Sequence, residues 1–323
     1  MTDQHAHRRD ESRGGRLEII SGYQFRSLDQ LALARQRIEA QVSALGLKGT
    51  VLIAAEGINF SLTGPGRALD EWLDWLARQM QIDAPVVSRQ AVEQPPFLRL
   101  KVRVRDEVVT FDTSVQPDAG TEASALSGAE WNRLLERDDV QLVDTRNDYE
   151  FRLGSFVGAQ NPETGSFAEF KRYSENHLDP ERPVAMFCTG GVRCEKAGPW
   201  LKSRGFKAVY QLKGGILGYL AETPPEQSLW RGECFVFDDR VSVDSSLTAC
   251  GRVICRGCRE PAEGLDAAGN PPIGAAGGCQ LCNKVFDQSM LGSLRERARQ
   301  VALARARGQS HLGPTAQAGG SDS

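Results

Sequence analysis

The chain has 323 residues, of which 40% are hydrophobic and 25% are charged, and its formal net charge is −3. This length allows two or three domains, and the small net charge excludes a strong overall field, so any nucleic-acid surface must be local. No signal peptide opens the sequence and no apolar run is long enough for a membrane span. We therefore expect a cytoplasmic protein with no membrane partner.

Alternating strands and helices between residues 16 and 112 predict the first domain. Strands are predicted at 17–25, 49–57, 57–64 and 97–105, and helices at 28–46 and 66–80. The order β-α-β-β-α-β is that of a ferredoxin-like, or acylphosphatase-like, α+β sandwich. Residues 1–15 are polar, and we expect them to be disordered.

The pattern of strands and helices changes after the polar connector at 113–126. Short apolar strands at 140–144, 183–187 and 207–212 alternate with helices. Short, fully apolar strands separated by helices are typical of a parallel sheet covered on both faces. The sequence therefore predicts an open α/β domain at residues 124–230.

Cys188 follows the apolar strand at 183–187, at the edge of the sheet where open α/β domains bind ligands. The loop continues with Thr189, Gly190, Gly191, Val192 and Arg193. Adjacent glycines let backbone N–H groups turn inward and form an anion nest before a helix. These groups and Arg193 should lower the pKa of the thiol, which favours a nucleophile over a buried packing cysteine.

Two neighbouring features narrow the chemistry of this loop. A tyrosine phosphatase needs five residues between its cysteine and arginine, whereas Cys188 and Arg193 enclose four. Cys194 could be a resolving thiol for an oxidised or persulfidated Cys188, or it could pack the first helical turn. We expect Cys234 and Cys250 to be packing residues.

Four further cysteines form two Cys-x-x-Cys pairs separated by 20 residues. They are Cys255, Cys258, Cys279 and Cys282. This spacing matches a tetrahedral zinc site. The glycine-rich segment 232–287 needs such a metal cross-link to fold. Four thiolates leave no open position for a substrate, so we expect structural zinc. A pair of redox motifs or unligated thiols is the alternative.

Cations alternate with apolar residues in FLRLKVRVR, at 97–105. The cations are Arg99, Lys101, Arg103 and Arg105, and the apolar residues are Leu98, Leu100, Val102 and Val104. Period two places the sets on opposite strand faces, and a basic strip of roughly 20 Å suits a phosphate backbone. A solvated sheet face is the alternative. Residues 288–307 predict a basic helix and residues 308–323 a disordered end.

Several motifs are absent from the sequence. The four histidines offer neither a 2-His-carboxylate iron site nor a partner for Cys188, and no glycine-rich nucleotide motif follows a strand. We therefore expect no nucleotide cofactor.

The central block resembles a rhodanese domain in LVDTRNDYEFRLGSFVGAQN, in the Cys188 loop and in LKGGILGYL. The whole chain resembles the tRNA uridine(34) hydroxylase family in LIAAEGIN, LKVRVRDEVVT, VDTRNDYE, FCTGGVRCEKA, LKGGI and GECFVFDDRVSV, from about residue 17 to 285. The resemblance implies oxygen-dependent hydroxylation of wobble uridine at C5, with Cys188 as active cysteine, molecular oxygen as co-substrate and the tRNA anticodon loop as partner.

Two rival functions remain open on the sequence. A sulfurtransferase would carry a persulfide on Cys188, and a non-catalytic module would only bind tRNA. The Cys188 loop disfavours the second, and the basic residues together with the resemblance disfavour the first. We expect no obligate protein partner.

Overall fold

The computed structural model describes residues 15–115, 117, 123–266, 268–274 and 276–307. The disorder expected for both ends therefore concerns residues outside these ranges, except Gly15. The chain forms two compact units. The first reaches Asp238 and includes Asp244–Thr248; the second comprises Asp239–Val243 and the chain from Ala249 onward. Within the described ranges, no helix has both the length and the apolar character that a bilayer crossing requires.

A five-stranded sheet with two helices begins the first unit. Its elements are β1 (Leu17–Phe25), α1 (Leu31–Ala44), β2 (Lys48–Ala54), β3 (Gly57–Pro65), α2 (Gly66–Met80), β4 (Val86–Ala91) and β5 (Leu100–Val104). The strand order is β4-β1-β3-β2-β5. Strand β1 pairs antiparallel with β3 and β4, and β2 pairs antiparallel with β3. This arrangement confirms the predicted α+β sandwich.

The predicted strand at 97–105 is confirmed, but a strand before it was not predicted. The sixth element is β4, which the sequence analysis did not recognise because its residues are nearly all half-buried and show no clear alternation. The predicted strand at 97–105 is instead a fifth strand, β5, which lies at the sheet edge and pairs parallel with β2.

The helices of this sandwich bury one face against the sheet. Helix α2 presents Leu69, Trp72 and Leu76, all fully buried. The Trp72 ring meets Phe60 of β3 edge-on, with ring centroids 6.1 Å apart. Burying an apolar side chain of this size contributes about 2–3 kcal/mol, so this contact holds α2 on the sheet.

A four-stranded sheet follows in the same unit. The elements are β6 (Ser124–Leu126), α3 (Gly128–Leu135), β7 (Gln141–Asp144), α4 (Asp148–Leu153), β8 (Gly154–Phe156), α5 (Phe170–His177), β9 (Val184–Phe187), α6 (Val192–Ser203), β10 (Val209–Leu212), α7 (Gly215–Glu222) and β11 (Trp230–Gly232). The order is β6-β10-β9-β7, and all these neighbours are parallel. The structure confirms the predicted parallel α/β architecture, with β9 at an inner position.

The remaining elements are short apart from one long helix. They are β12 (Cys234–Phe235), β13 (Ser242–Val243), β14 (Val253–Ile254), β15 (Pro261–Ala262) and α8 (Gln288–Ala306). Strands β14 and β15 form an antiparallel hairpin in the second unit. Helix α8 begins at an Asp287 cap and buries Leu291 and Leu294, while Asn270 donates to the Leu294 carbonyl at 3.0 Å.

Candidate functional site

Cys188 begins the loop between β9 and α6, where its side chain is almost fully buried. The loop curls around the sulfur, and the Gly191 N–H donates to Cys188 Sγ at 3.1 Å. The Arg193 backbone N–H also helps to lower the pKa of this thiol. Gly191 has a φ of +100°, a conformation that glycine adopts without strain. The predicted loop residues 189–193 therefore form a cradle of backbone donors for a thiolate.

The N-terminus of α7 holds the opposite side of this loop. The N–H groups of Ile216 and Leu217 donate to the carbonyl oxygens of Cys188 and Thr189, at 2.9 and 3.0 Å. A Cβ at Gly215 would lie 2.5 Å from the Cys188 carbonyl oxygen, so only glycine fits there. Because α7 binds the loop carbonyls, the following N–H groups are left to face the sulfur. The LKGGI stretch, at 212–216, therefore fixes the orientation of the Cys188 loop.

The surroundings of Cys188 favour its ionised form. Burial alone raises the pKa of the thiol, but a hydrogen bond from Cys194, the Arg193 charge and the loop N–H groups outweigh burial. Together they hold the pKa of Cys188 at about 6. At neutral pH the side chain is mainly a thiolate, which is the nucleophilic form of cysteine.

We expect alkylation of Cys188 to follow this pKa. Because the lowered pKa favours the thiolate above pH 6, the rate with iodoacetamide should rise through a midpoint at about pH 6 and then level off. Peptide mass spectrometry would separate Cys188 from the other thiols, with Cys188→Ser as the blank. A midpoint near the ordinary cysteine value would show that the loop does not stabilise the thiolate.

Arg193 is committed to a carboxylate rather than free to bind substrate. Its guanidinium donates to the Glu150 carboxylate at 2.9 and 3.3 Å, and both side chains are buried. The Thr189 hydroxyl contacts the same carboxylate at 3.5 Å. Arg193 therefore acts on Cys188 through its charge and its backbone N–H, while Glu150 of α4 fixes the arginine.

Cys194 lies in the first turn of α6 and is fully buried. It contacts the Thr145 hydroxyl at 3.8 Å, and its side chain helps to lower the pKa of Cys188. Burial, followed by the neighbouring Cys188 sulfur, raises the pKa of Cys194 well above its usual range. Cys194 therefore remains a protonated donor to the Cys188 thiolate, which is compatible with either a resolving or a packing role.

Tyr23 of β1 reaches from the N-terminal sheet to this loop. Its hydroxyl donates to Glu195 Oε1 at 3.2 Å, and Gln211 donates to the same oxygen at 3.0 Å. A Cβ at Gly191 would lie 2.7 Å from the Tyr23 oxygen, so the tyrosine occupies the space over that glycine. Burial, reinforced by the Glu195 charge, raises the pKa of Tyr23 far above its usual range and keeps the phenol neutral.

Lys196 forms a second connection between the two sheets. Its ammonium group is fully buried and lies 2.8 Å from Glu56 Oε2, and it also binds Glu107. Glu56 belongs to the EGIN stretch after β2, and its other oxygen accepts the Val108 N–H at 2.8 Å. We call Glu56, Glu107 and Lys196 the lysine clamp. It fixes α6, and hence the Cys188 loop, to the N-terminal sheet.

Arg99, Lys101, Arg103 and Arg105 all lie exposed along β5 and its two flanking residues. None of these four cations forms an ion pair with a residue that the structure describes. The predicted apolar face was partly wrong, because Leu98 and Val104 are exposed and only Val102 is fully buried. An edge strand packs less of its inner face against the helices than a central strand does.

The basic strip, which runs from Arg99 to Arg105, ends close to α6, the helix that follows the Cys188 loop. Glu107, which binds Lys196, follows Arg105 by two residues. Two residues span at most about 7 Å, so one end of the strip lies near α6.

The cysteine pairs converge in the second unit. The sulfur atoms of Cys255, Cys258 and Cys279 lie within 4.8 Å of one another. The predicted fourth ligand, Cys282, is not in this group, although its side chain influences the pKa of both Cys258 and Cys279. Backbone N–H groups donate to Cys255 and Cys279 sulfurs at 3.4 Å, as in knuckles that hold thiolates. The cluster could hold a metal ion, and its sulfur ligands suit a tetrahedral site.

The two other cysteines lie apart from this cluster in the sequence. Cys234 of β12 is fully buried, and burial raises its pKa to about 12. Cys250 is partly buried.

The residues that connect the two sheets were missed by the sequence analysis. Tyr23 and Glu56 lie far from the cysteine loop in sequence, and nothing local in LEIISGYQF or LIAAEGIN indicates a partner. Lys196 is the only one of these residues that the sequence could have indicated. It lies between buried cysteine and alanine positions of an apolar helix face, where a lysine needs a counter-ion.

Two family models match the two domains of the first unit. The family model of the UPF0176 acylphosphatase-like domain matches residues 17–108, and that of the rhodanese-like domain matches residues 127–222. A solved rhodanese-like domain protein from Staphylococcus aureus is 26% identical, with a TM-score of 0.26; the match covers 30% of this chain and 90% of that one.

Two curated relatives match along nearly the whole length. A tRNA uridine(34) hydroxylase of Teredinibacter turnerae is 39% identical over 92% of this chain and 93% of its own. One of Sinorhizobium fredii is 38% identical over 97% of this chain and 100% of its own. The chain, with its acylphosphatase-like and rhodanese-like domains, belongs to the tRNA uridine(34) hydroxylase family.

Proposed function

We propose that this protein hydroxylates uridine 34 of tRNA at C5, forming 5-hydroxyuridine with molecular oxygen as co-substrate. In this proposal residues 16–112 bind tRNA, residues 124–230 carry the chemistry and residues 232–287 hold zinc. The enzyme acts in the cytoplasm, where tRNA is used. The observation that carries the proposal is the stabilised Cys188 thiolate, in a chain that is 38–39% identical to two curated hydroxylases over most of its length.

A thiolate is suited to activating a uracil ring. The Cys188 sulfur adds to C6, and the electron pair of the C5=C6 bond moves to C5, where it is delocalised as an enolate toward O4. The carbanion-like C5 then attacks molecular oxygen. The Gly191 N–H, which holds the sulfur before attack, holds it again when it leaves, and the Arg193 charge stabilises the released thiolate.

The remaining steps require two equivalents of a thiol as the reductant. The thiols reduce the C5 peroxide to a hydroxyl group, become a disulfide and release one oxygen atom as water. Loss of the C5 proton and of the C6–S bond then restores the double bond and the free thiolate. The net reaction consumes uridine, one oxygen molecule and two thiols.

The direct test is nucleoside mass spectrometry of tRNA from cells that lack this protein. The proposal expects 5-hydroxyuridine at position 34 to disappear and to return when the wild-type gene is restored. Loss of a sulfur-containing nucleoside instead, together with vigorous thiosulfate turnover by the purified protein, would assign a sulfurtransferase. An unchanged nucleoside profile would remove the tRNA-modifying function.

The basic strip is the proposed contact for the tRNA backbone. Replacing Lys101 and Arg103 by Ala should lower the affinity for many tRNAs to a similar extent, because phosphate contacts carry no sequence information. The slope of log affinity against log salt should become shallower by up to about two units, at roughly 0.7–0.9 per lost contact. Filter binding across salt concentrations measures both effects, with Arg35→Ala on α1, half-exposed beside Glu39, as the matched control. Unaltered affinity and slope would leave the strip a solvated face.

The cysteine cluster is the proposed zinc site. Cys255, Cys258, Cys279 and Cys282 would supply four thiolates, closing the coordination shell and making the metal structural. We expect about one zinc per chain by elemental analysis. Chelation should abolish the protection of 249–307 from proteolysis while alkylation of Cys188 keeps its rate. Protein purified without chelator that contains no zinc would contradict this assignment.

A further inference from the structure

Phe237 is a large exposed aromatic side chain in the GECFVFDDRVSV stretch, and 62% of its surface is accessible. Its orientation is defined despite this exposure. The ring meets the buried Phe235 edge-on at 5.0 Å, and Phe235 in turn meets Tyr149 of α4 at 5.2 Å. An exposed aromatic ring whose orientation is set by its neighbours is suited to binding a flat ligand.

The ring lies beside the catalytic loop. The Arg193 guanidinium lies over one face of the Phe237 ring, 5.7 Å from its centroid, and the Gly191 N–H of the same loop donates to the Cys188 sulfur. The carbonyl oxygen of Phe235 lies 3.5 Å from the Thr189 hydroxyl. Phe237 is therefore held against the same loop that carries the nucleophile, on a segment to which neither the fold nor the chemistry assigns a role.

We propose that Phe237 is a stacking platform for the nucleobase at position 34, which must leave the anticodon stack to meet Cys188. The inference rests on the proposed function, and it names the residue that holds the substrate base. Single-stranded bases stack on aromatic side chains because each base has a flat π face.

The chemistry around Phe237 favours a base over other ligands. A phosphate needs a cation or N–H donors to bind it, and the nearby Arg193 guanidinium is already bound to the Glu150 carboxylate. A single phenyl group is also much smaller than the apolar patch of several hundred Å² that marks a protein-binding surface. A neutral pyrimidine satisfies both conditions, while the phosphates can follow the basic strip on β5.

The test compares two anticodon stem-loop RNAs, one with uridine at position 34 and one abasic there. Wild-type protein should bind the uridine RNA more tightly, by roughly 5- to 150-fold if one stacked base is gained. Phe237→Ala should bind both RNAs with equal affinity, and Phe237→Trp should keep the preference. Val157→Ala removes an equally exposed apolar side chain elsewhere in the first unit and should change nothing.

The alkylation rate of Cys188 reports whether the loop of each variant is intact, independently of RNA. If Phe237→Ala keeps the wild-type preference for uridine, or if the wild-type protein shows no preference, Phe237 is not a stacking platform. Binding does not require turnover. A failure to form 5-hydroxyuridine would therefore count against the proposed function alone, whereas the affinity ratio decides the role of Phe237.

Discussion

Replacing Cys188 by Ser is expected to lower formation of 5-hydroxyuridine by more than about a thousandfold, since removing a nucleophile costs at least this much in covalent enzymes. A serine hydroxyl is nearly isosteric with the thiol and can accept the Gly191 N–H, but it stays protonated at neutral pH. The free energy of unfolding should change by only about 1 kcal/mol. Single-turnover assays on tRNA, with thermal unfolding alongside, measure both quantities.

The neighbouring thiol provides a matched control. Cys194→Ser keeps a hydroxyl donor next to Cys188 and should leave most of the activity, because Cys194 supports the thiolate without carrying it. Wild-type turnover by purified Cys188→Ser would show that the sulfur is not the nucleophile. Equal losses in the two variants would indicate a thiol pair that acts as a redox unit.

Replacing Lys196 by Met is expected to be the most damaging change outside the catalytic loop. The substitution keeps an unbranched side chain but leaves the carboxylates of Glu56 and Glu107 buried without their cation. Breaking a buried ion pair from one side typically costs 3–5 kcal/mol. Denaturant unfolding should show this loss, and activity should fall because α6 loses its anchor to the N-terminal sheet.

The Lys207–Glu181 pair provides the control, since both side chains are about two-thirds exposed. Lys207→Met should cost well under 1 kcal/mol. Adding Glu56→Gln and Glu107→Gln to Lys196→Met should recover part of the stability by removing the unpaired charges. If Lys196→Met were as stable as Lys207→Met, the lysine clamp would not connect the two sheets.

Hydrophobic periodicity predicted the elements with one strongly apolar face. Helix α2 and strand β1 have the bounds expected from the sequence, and β7, β9 and β10 follow their apolar runs closely. Strand β4 was not predicted, because VVSRQA lies half-buried at a sheet edge, where neither face is consistently apolar. The very short strands β6 and β8 escaped because three residues carry no period.

The cysteine loop was recognisable because its chemistry is local: the nucleophile, glycines and arginine lie within six residues. The supporting contacts are not local. Glu150 fixes Arg193 from 43 residues away, and Tyr23 reaches Glu195 from 172 residues away. No periodicity or spacing rule connects such positions, since only the packing of two sheets brings them together.

The lysine clamp also has a consequence for biosynthesis. Lys196 lies 89 residues after Glu107, so at roughly 5–20 residues per second a ribosome makes the lysine about 4–18 s after the second glutamate. During that interval the nascent N-terminal sheet has its carboxylates but not its cation. The sheet with the basic strip therefore emerges first, and the reactive loop is anchored only when α6 arrives. Until α6 and α7 have been made, a partly translated chain thus exposes no assembled thiolate site.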